Sequence, residues 1–360
     1  MKPAAILHLR SSSGLYGAEQ MLLGLCTEQA RLGAAPVLAA FAHPGPQPTL
    51  LAAAAAHGIS SFALPCRGAI DLRCVRDLRA QLRHSPPRLL HCHDYKSVTY
   101  AYLASTGLRL HRVATVHGWV DDGARSRAYR ALELRVLRGF DHVCAVSDGI
   151  LHALRGAGLK EERIRRIDNG IDLDRFQVRA TAGTGVLRLG IAARLSPEKN
   201  LEQLLCAISE CRSRGARMQL TIHGEGPLRV ELEASIKQLD LADCVTLPGA
   251  RAALEDWYPE LDALLLPSLS EGLPMSVLEA LACGCPLVAS DVGALPEVLS
   301  GLPGCALIRA GDLAELVAAL MAVRPRVVAD GRLRERVNAR YSVARMAAAY
   351  EGVYLQALAA

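Results

Sequence analysis

Aromatic side chains make up only 4% of this 360-residue chain. Nowhere does it carry the run of about 18 uninterrupted apolar residues that a spanning helix needs. The first shortage argues against a nucleic-acid surface, which is built on stacked rings beside basic residues. The second leaves no expected membrane span. The apolar stretch 1–9 is cut off early by Arg10, so no secretory signal is expected and a cytoplasmic setting is. Cysteine is not scarce: there are 11, an odd number, and no two stand in a C-x-x-C pair. That scattered pattern suits a reducing cytosol. Cys26, Cys92, Cys144, Cys206 and Cys305 sit among apolar neighbours, where a thiol behaves as a small hydrophobe. His91-Cys92-His93-Asp94 is dense in ligand types. Strand alternation sends neighbours to opposite faces, however, and no second cluster has zinc spacing, so no metal is expected.

What is present is a globular composition, 51% hydrophobic and 21% charged, rich in Ala, Leu and Arg as in GC-rich bacterial genes. The length exceeds what one core usually serves, so two domains are expected. The net charge of +5 is uneven. Residues 1–175 hold 23 Lys and Arg against 15 Asp and Glu; the remainder holds 18 against 21. A basic first half suits an anionic partner such as a lipid headgroup, but solvated arginine-rich helix faces explain it equally well.

Apolar runs and helical periods alternate along the chain. Strands are expected at 4–9, 36–41, 61–64, 89–93, 112–117 and 141–146. Helices are expected at 18–32, 50–57, 71–82 and 125–138. In the helix at 71–82, Leu72, Val75, Leu78 and Leu82 form the apolar face. The alternation pauses at 176–186, where R-A-T-A-G-T-G reads as a linker. A second series follows, with strands at 187–192, 218–223, 245–248, 263–267, 287–289 and 305–308. Its helices are expected at 201–213, 228–239, 253–258, 274–282, 296–299 and 312–321, and a last helix at 341–358. Such alternation means βαβ units and parallel sheets, which place ligands beyond the carboxyl ends of the strands.

The loops at those ends carry the chemistry. Gly17 lies in G-L-Y-G-A-E, where a helix start offers free N–H groups to an anion. Arg194 and Lys199 flank a short turn and suit a diphosphate, or else a surface ion pair with Glu198. Gly224, Glu225 and Gly226 form a close turn, and Gly249 ends another strand. In E-G-L-P-M-S-V-L-E, Glu271 and Glu279 stand eight positions apart. The first lies in a loop with Gly272, Leu273 and Pro274, and the second on the following helix. Two carboxylates so placed can hold two separate sets of hydroxyls.

Taken in order, V-S-D-G-I at 146–150, N-G-I-D at 169–172, R-x4-K, G-E-G-P at 224–227 and E-x7-E resemble the retaining, nucleotide-sugar-dependent glycosyltransferases of family 4. The resemblance covers nearly the whole chain. It implies the α/β GT-B fold: two Rossmann-like doubly wound domains, 1–176 and 187–340, facing a central cleft. A 177–186 linker joins them, and a C-terminal helix at 341–360 returns to the first domain. It implies that Glu271 contacts the donor sugar and Glu279 the ribose. Arg194 and Lys199 would clamp the diphosphate, and Gly17 would approach it. His117, in T-V-H-G-W, would lie beside the reacting sugar. Tyr16, His93, Asp94, Trp119 and Asn169 fall on the acceptor side. One departure stands out: the common G-G-x-E is Tyr16-Gly17-Ala18-Glu19 here, so Tyr16 projects where many relatives have no side chain.

No metal or other cofactor is expected, since two cations and a helix start can stabilise a departing diphosphate. The expected partners are a nucleotide-diphosphate sugar and a glycan or lipid-linked acceptor, with peripheral contact to an anionic membrane and none to nucleic acid. A nucleotide-sugar epimerase of the same fold remains a rival and would use Asp94, Asp121 or Asp122. A non-catalytic sugar-nucleotide binder is another.

Overall fold

The first strand, β1 (Ala5–Ser11), buries Ile6, Leu7 and Leu9 but also His8. It is central in its sheet, with β2 (Ala35–Ala42) on one side. The computed structural model describes residues 5–11, 14–15, 17–43, 45, 48–68, 70–119, 123–179, 185–251, 253–326 and 331–359. Beyond β2 lies β3 (Ser60–Pro65). On the other side of β1 come β4 (Leu89–Cys92), β5 (His111–Val116), β6 (His142–Ala145) and β7 (Ile164–Arg166). The order is β3-β2-β1-β4-β5-β6-β7 and every pair is parallel. The four residues of β4 and of β6 are all buried, as strands covered by helices on both faces must be.

The helices of this unit are α1 (Gly17–Arg31), α2 (Thr49–Ala56), α3 (Leu72–His84), α4 (Tyr95–Ser105), α5 (Ala124–Leu137) and α6 (Asp148–Gly156). Asp71 caps α3, accepting from the backbone N–H of Arg73 at 3.0 Å and of Cys74 at 3.3 Å. The buried face of α3 is Cys74, Leu78 and Leu82, at four-residue spacing. Leu72, expected on that face, is the first helical residue and is 74% exposed. Neither α4, α6 nor β7 was expected. Helix α4 buries Lys96, Ser97, Val98, Tyr100 and Ala101 around most of its circumference, so no apolar stripe marks it.

The second sheet holds β8 (Leu187–Ala192), β9 (Met218–His223), β10 (Val245–Thr246), β11 (Ala263–Leu266), β12 (Leu287–Ser290) and β13 (Ala306–Ile308). Its order, β10-β9-β8-β11-β12-β13, repeats that of the first sheet, again all parallel. Its helices are α7 (Leu201–Ser213), α8 (Arg229–Gln238), α9 (Met275–Ala282), α10 (Leu295–Leu299), α11 (Leu313–Ala322) and α12 (Gly331–Arg340), the last not expected. The helix expected at 253–258 does not form; turns lead instead into a short 3-10 helix, Tyr258–Glu260. Pro259 and the seating of Trp257 explain this. Trp257 packs where Gly190 has no side chain, and a Cβ there would come within 2.6 Å of the indole.

The last helix, α13 (Val343–Ala359), packs on α1 and β5 of the first sheet. The chain thus divides into Met1–Gly170 with Val343–Ala360, and Ile171–Ser342. Residues 180–184 of the expected linker lie outside the described residues. All eleven thiols are free. Cys206 is not in the apolar surroundings expected of it: it is exposed on the outer face of α7, whose buried residues include Leu201, Leu204, Leu205 and Ile208; Cys305 is half-buried, and burial pushes its thiol up to about 11.

Candidate active site

In the second unit the loops after β8 and β11 lie against each other. The Leu269 N–H donates to the Glu198 carbonyl at 2.8 Å. Lys199 Nζ stands 2.7 Å from Glu271 Oε1, and the Ser268 hydroxyl donates to the same oxygen at 2.7 Å. Lys199 is therefore not paired with Glu198, whose Oε1 accepts from the Ser196 hydroxyl. The Lys199 and Glu271 side chains are 17% and 7% exposed. Glu271 Oε2 has no partner among the described residues. Arg194 is exposed and has no hydrogen bond or close ion pair among the described residues, although its charge acts on the Glu198 carboxylate. Asn200 begins α7 at φ +55 and makes no side-chain cap, so the first N–H groups of α7 meet no capping side chain.

Glycines set the loop paths. A Cβ on Gly224 would stand 1.8 Å from the Ala193 carbonyl oxygen, and one on Gly226 2.3 Å from that of Leu195. The G-E-G-P turn thus supports the Arg194 loop by close backbone approach. Glu225 lies 3.5 Å from Arg229 and its side chain is half exposed. Gly249 ends β10's loop at φ +96 and its carbonyl accepts from the Gly224 N–H at 3.1 Å. Gly293, which the sequence did not single out, carries the Glu271 loop: at φ +57 a Cβ there would be 2.1 Å from the Glu271 carbonyl oxygen. The Ala294 N–H then donates to the Gly272 carbonyl at 3.0 Å. Leu273 is buried, and Pro274 sits at the N-cap of α9 rather than inside it. Glu279, five residues into the 274–279 run, accepts from the Tyr258 hydroxyl at 2.7 Å. Burial pushes its pKa up, while Tyr258 and the Arg175 charge oppose that.

In the first unit the site residues gather at the ends of β1, β4 and β5. Arg10 donates from Nε to Glu19 at 3.0 Å and from NH1 to the His93 carbonyl at 2.6 Å. So Glu19 of Y-G-A-E holds an arginine. Gly17 is the first residue of α1, and Tyr16 lies outside the described residues. Asp94 is held by backbone N–H groups of its own unit. It caps α4 in a capping box with Ser97, accepting from that N–H at 2.8 Å, and its other oxygen accepts from the Ser11 N–H at 2.6 Å. The Trp119 indole donates to Glu133 Oε2 at 2.8 Å, and the Arg130 guanidinium lies 4.4 Å from the Trp119 ring centroid. Glu133 was missed. Burial pushes its carboxyl up to about 7, opposed mainly by the Trp119 hydrogen bond. Asn169 is buried with Oδ1 unpartnered. His117 follows β5, and among the described residues neither of its ring nitrogens has a partner; its ring stacks at 5.9 Å on that of His93, whose Nδ1 likewise has none there. Burial, then the Arg10 charge, lower the His117 pKa to about 3, so the ring is neutral.

Residues 16–175 match the model of Glycosyltransferase Family 4, and residues 187–324 that of Glycosyl transferases group 1. A glycogen synthase of Mycobacterium tuberculosis is 30% identical over 290 residues, 75% of this chain and 69% of that one. The chain belongs to glycosyltransferase family 4. The putative colanic acid biosynthesis glycosyltransferase WcaL of Salmonella typhimurium is 28% identical over 62% of this chain. The chain spans 58% of that relative's length, and 44% of the amylovoran biosynthesis glycosyltransferase AmsK of Erwinia amylovora. Among solved structures, Anabaena HepE in complex with UDP-glucose superposes with a TM-score of 0.83 at 19% identity, over 97% of this chain and 98% of that one. A sucrose-phosphate synthase from Thermosynechococcus elongatus gives 0.83 at 18%, over 99% of each chain. The fold of this family 4 member is GT-B. Among the described residues no helix is long and apolar enough to cross a membrane.

Proposed function

We propose that this transferase moves a sugar, with retention of anomeric configuration, from a nucleoside-diphosphate donor to a hydroxyl of a glycan or lipid-linked acceptor in surface-polysaccharide assembly. The observation that carries the reading is the second unit's charge arrangement: exposed Arg194, Lys199 2.7 Å from Glu271, and a start of α7 with no side-chain cap. Lys199 has three N–H donors, so it can keep Glu271 and still take a phosphate oxygen. Glu271 Oε2 remains for sugar hydroxyls, and Glu279, its Oε2 taken by Tyr258, keeps Oε1 for the ribose. The relatives named for colanic acid and amylovoran synthesis, and the HepE complex with UDP-glucose, support the donor and acceptor classes.

In the reaction the bond from the sugar's C1 to the phosphate oxygen breaks, and its electron pair leaves with the diphosphate. The acceptor oxygen bonds to C1 on the same face, and its proton passes to the departing phosphate oxygen. Arg194 and Lys199 meet the growing charge, the task that a metal performs elsewhere. We therefore read the reaction as independent of metal. Neutral His117 serves as a hydrogen-bonding partner of the sugar and not as a base.

The membrane reading finds support at another place than Trp119. Arg130 covers that ring, whereas Ile70 and Leu72 are 86% and 74% exposed beside Arg67, Arg73 and Arg76. Exposed aliphatics among cations suit an anionic leaflet, each basic residue contributing on the order of 1 kcal/mol. The epimerase has less behind it: Asp94 is committed to its cap, and Asp121 and Asp122 lie outside the described residues.

A donor panel tests the central reading. UDP-, GDP- and ADP-sugars are incubated with the full chain, and release of nucleoside diphosphate is followed with and without glycan acceptors. Release from one donor class, raised by an acceptor, is expected. Interconversion of sugars on an intact donor would replace transfer with epimerisation.

A further inference from the structure

His8, on β1, and His91, on β4, are register partners, so two imidazoles lie side by side within the sheet. Both are fully buried, and His93 is 1% exposed. Burial is the main reason that all three stay neutral; it lowers the His8 pKa to about 4. A neutral imidazole has one N–H and one lone pair, so each hydrogen bond fixes the next. The Gln29 amide oxygen lies 2.9 Å from His8 Nε2, and an amide oxygen only accepts, so His8 carries its proton on Nε2. His8 Nδ1 is then bare, and His93 Nε2, 3.1 Å away, must donate to it. That leaves His93 Nδ1 as a lone pair.

The relay continues on the other side of Gln29. Its Nε2 donates to the Tyr354 hydroxyl at 3.2 Å, and that hydroxyl lies 2.7 Å from His91 Nδ1. With its lone pair taken by Gln29, that hydroxyl can pass its proton to His91 Nδ1, which puts the His91 proton on Nε2, 2.8 Å from Thr115 Oγ1. Thr115 is 2.9 Å from the Tyr350 hydroxyl. Both tyrosines stand on α13. Turning the Gln29 amide over would reverse every bond and place an N–H on His93 Nδ1. The Arg10 guanidinium, which also holds the His93 carbonyl, favours a lone pair near it over an N–H.

The three imidazoles are close enough together to suggest a metal, with candidate atoms within 4.8 Å of one another. Five of their six nitrogens are engaged in the relay, however, and a metal would have to break it. The free atom is His93 Nδ1. Beside it, stacked at 5.9 Å, His117 has two more unpartnered nitrogens. A buried polar atom without a partner costs about 1–3 kcal/mol, so three together mark a place where a ligand completes the bonding. Two lone pairs and one N–H fit neighbouring hydroxyls, each of which both donates and accepts.

We propose that His93 presents a bare Nδ1 to a sugar hydroxyl, and that the relay from α13 through Thr115, His91, Tyr354, Gln29 and His8 fixes that tautomer. His93 touches the ligand; Gln29, Tyr354 and His8 are positioning residues. The hydroxyl rests on the glycosyl-transfer reading, whereas the tautomer does not.

The test uses the full chain labelled with nitrogen-15 histidine, whose long-range proton–nitrogen spectra separate a bare ring nitrogen from a protonated one. In the absence of any substrate, His93 Nδ1 should be bare. Gln29→Met removes the acceptor for His8 Nε2–H and should give His93 mixed tautomers, with turnover about tenfold lower, the worth of one hydrogen bond. Gln29→Glu keeps an acceptor oxygen and should keep the bare Nδ1. Should Gln29→Met fail to fold, Tyr354→Phe removes one hydroxyl and is read in the same way. A proton on His93 Nδ1 in the unsubstituted protein, or an unchanged spectrum in the variant, overturns the relay. A bare Nδ1 in a protein that turns over no sugar donor keeps the relay and removes the transfer reading alone.

Discussion

Lys199→Met separates the two things that its ammonium does. In the free protein it neutralises Glu271 across 2.7 Å, with the side chains 17% and 7% exposed. Its loss leaves that carboxylate with the Ser268 hydroxyl as its remaining partner. A fully buried pair broken in this way costs about 3–5 kcal/mol. This one stands at a loop edge and Lys199 keeps some solvent, so about 1–3 kcal/mol of stability should go. On the proposed reading the same ammonium also meets the departing diphosphate, and removing such a donor should cost about 2–4 kcal/mol, or 10²- to 10³-fold in rate. The double variant Lys199→Met with Glu271→Gln tells the effects apart when it is compared with Glu271→Gln alone, since Glu271 has its own proposed contact with the sugar. With no buried charge left unpaired, most of the lost stability should return, but turnover should not. Urea unfolding gives the first quantity and donor hydrolysis the second. Turnover that recovered together with stability would mean that Lys199 acts by holding the loop alone, and the diphosphate assignment would go.

Arg194→Ala should lose a similar 10²- to 10³-fold in rate with stability changed by less than about 0.5 kcal/mol, because the side chain is exposed and has no hydrogen bond or close ion pair among the described residues; near-normal hydrolysis would free it from the donor. Gly293→Ala should destabilise by on the order of 2 kcal/mol, since its Cβ would stand 2.1 Å from the Glu271 carbonyl oxygen at a positive φ. Its turnover should fall further than unfolding explains, because a displacement of about 1 Å at Glu271 is worth roughly 10²-fold; an unperturbed melting curve would contradict the packing argument. Glu133, raised from 4.5 to about 7, stays protonated in the folded chain at pH values where the unfolded chain has released its proton. Stability should therefore fall as pH rises from 4.5 to 7, by about 3 kcal/mol at ~1.4 kcal/mol per unit, and Glu133→Gln should lack that fall. Equal differences between pH 5 and pH 8 in both proteins would show that Glu133 is not held neutral.

The alternating apolar runs made most of both sheets legible, because a fully buried parallel strand such as β11 is a continuous hydrophobic stretch. Helix α4 was not legible. Its start is set by a polar capping box and its packing surrounds it, so neither period nor stripe appears. The segment 253–258 looked helical because its tertiary role, filling the space over Gly190, leaves no local mark. At the candidate site the charged loops could be found from strand ends and glycines. Their partners could not: that Lys199 meets Glu271, 72 positions away, follows from two loops sharing a backbone hydrogen bond. Asp94 carried a ligand-like pattern, but Ser97, three residues on, was the sign of its cap. Glu133 and the Gln29–Tyr354 pair left no signal, since each is a polar residue on a helix whose burial only the fold creates.

The most direct measurement is the anomeric configuration of the sugar transferred in the presence of EDTA, read by proton NMR on the product of a productive donor and acceptor. The account predicts the donor's own anomer, formed at an undiminished rate by the chelated protein and at least a hundredfold more slowly by Lys199→Met. An inverted anomer, or activity abolished by EDTA and restored by Mg²⁺ or Mn²⁺, would contradict it.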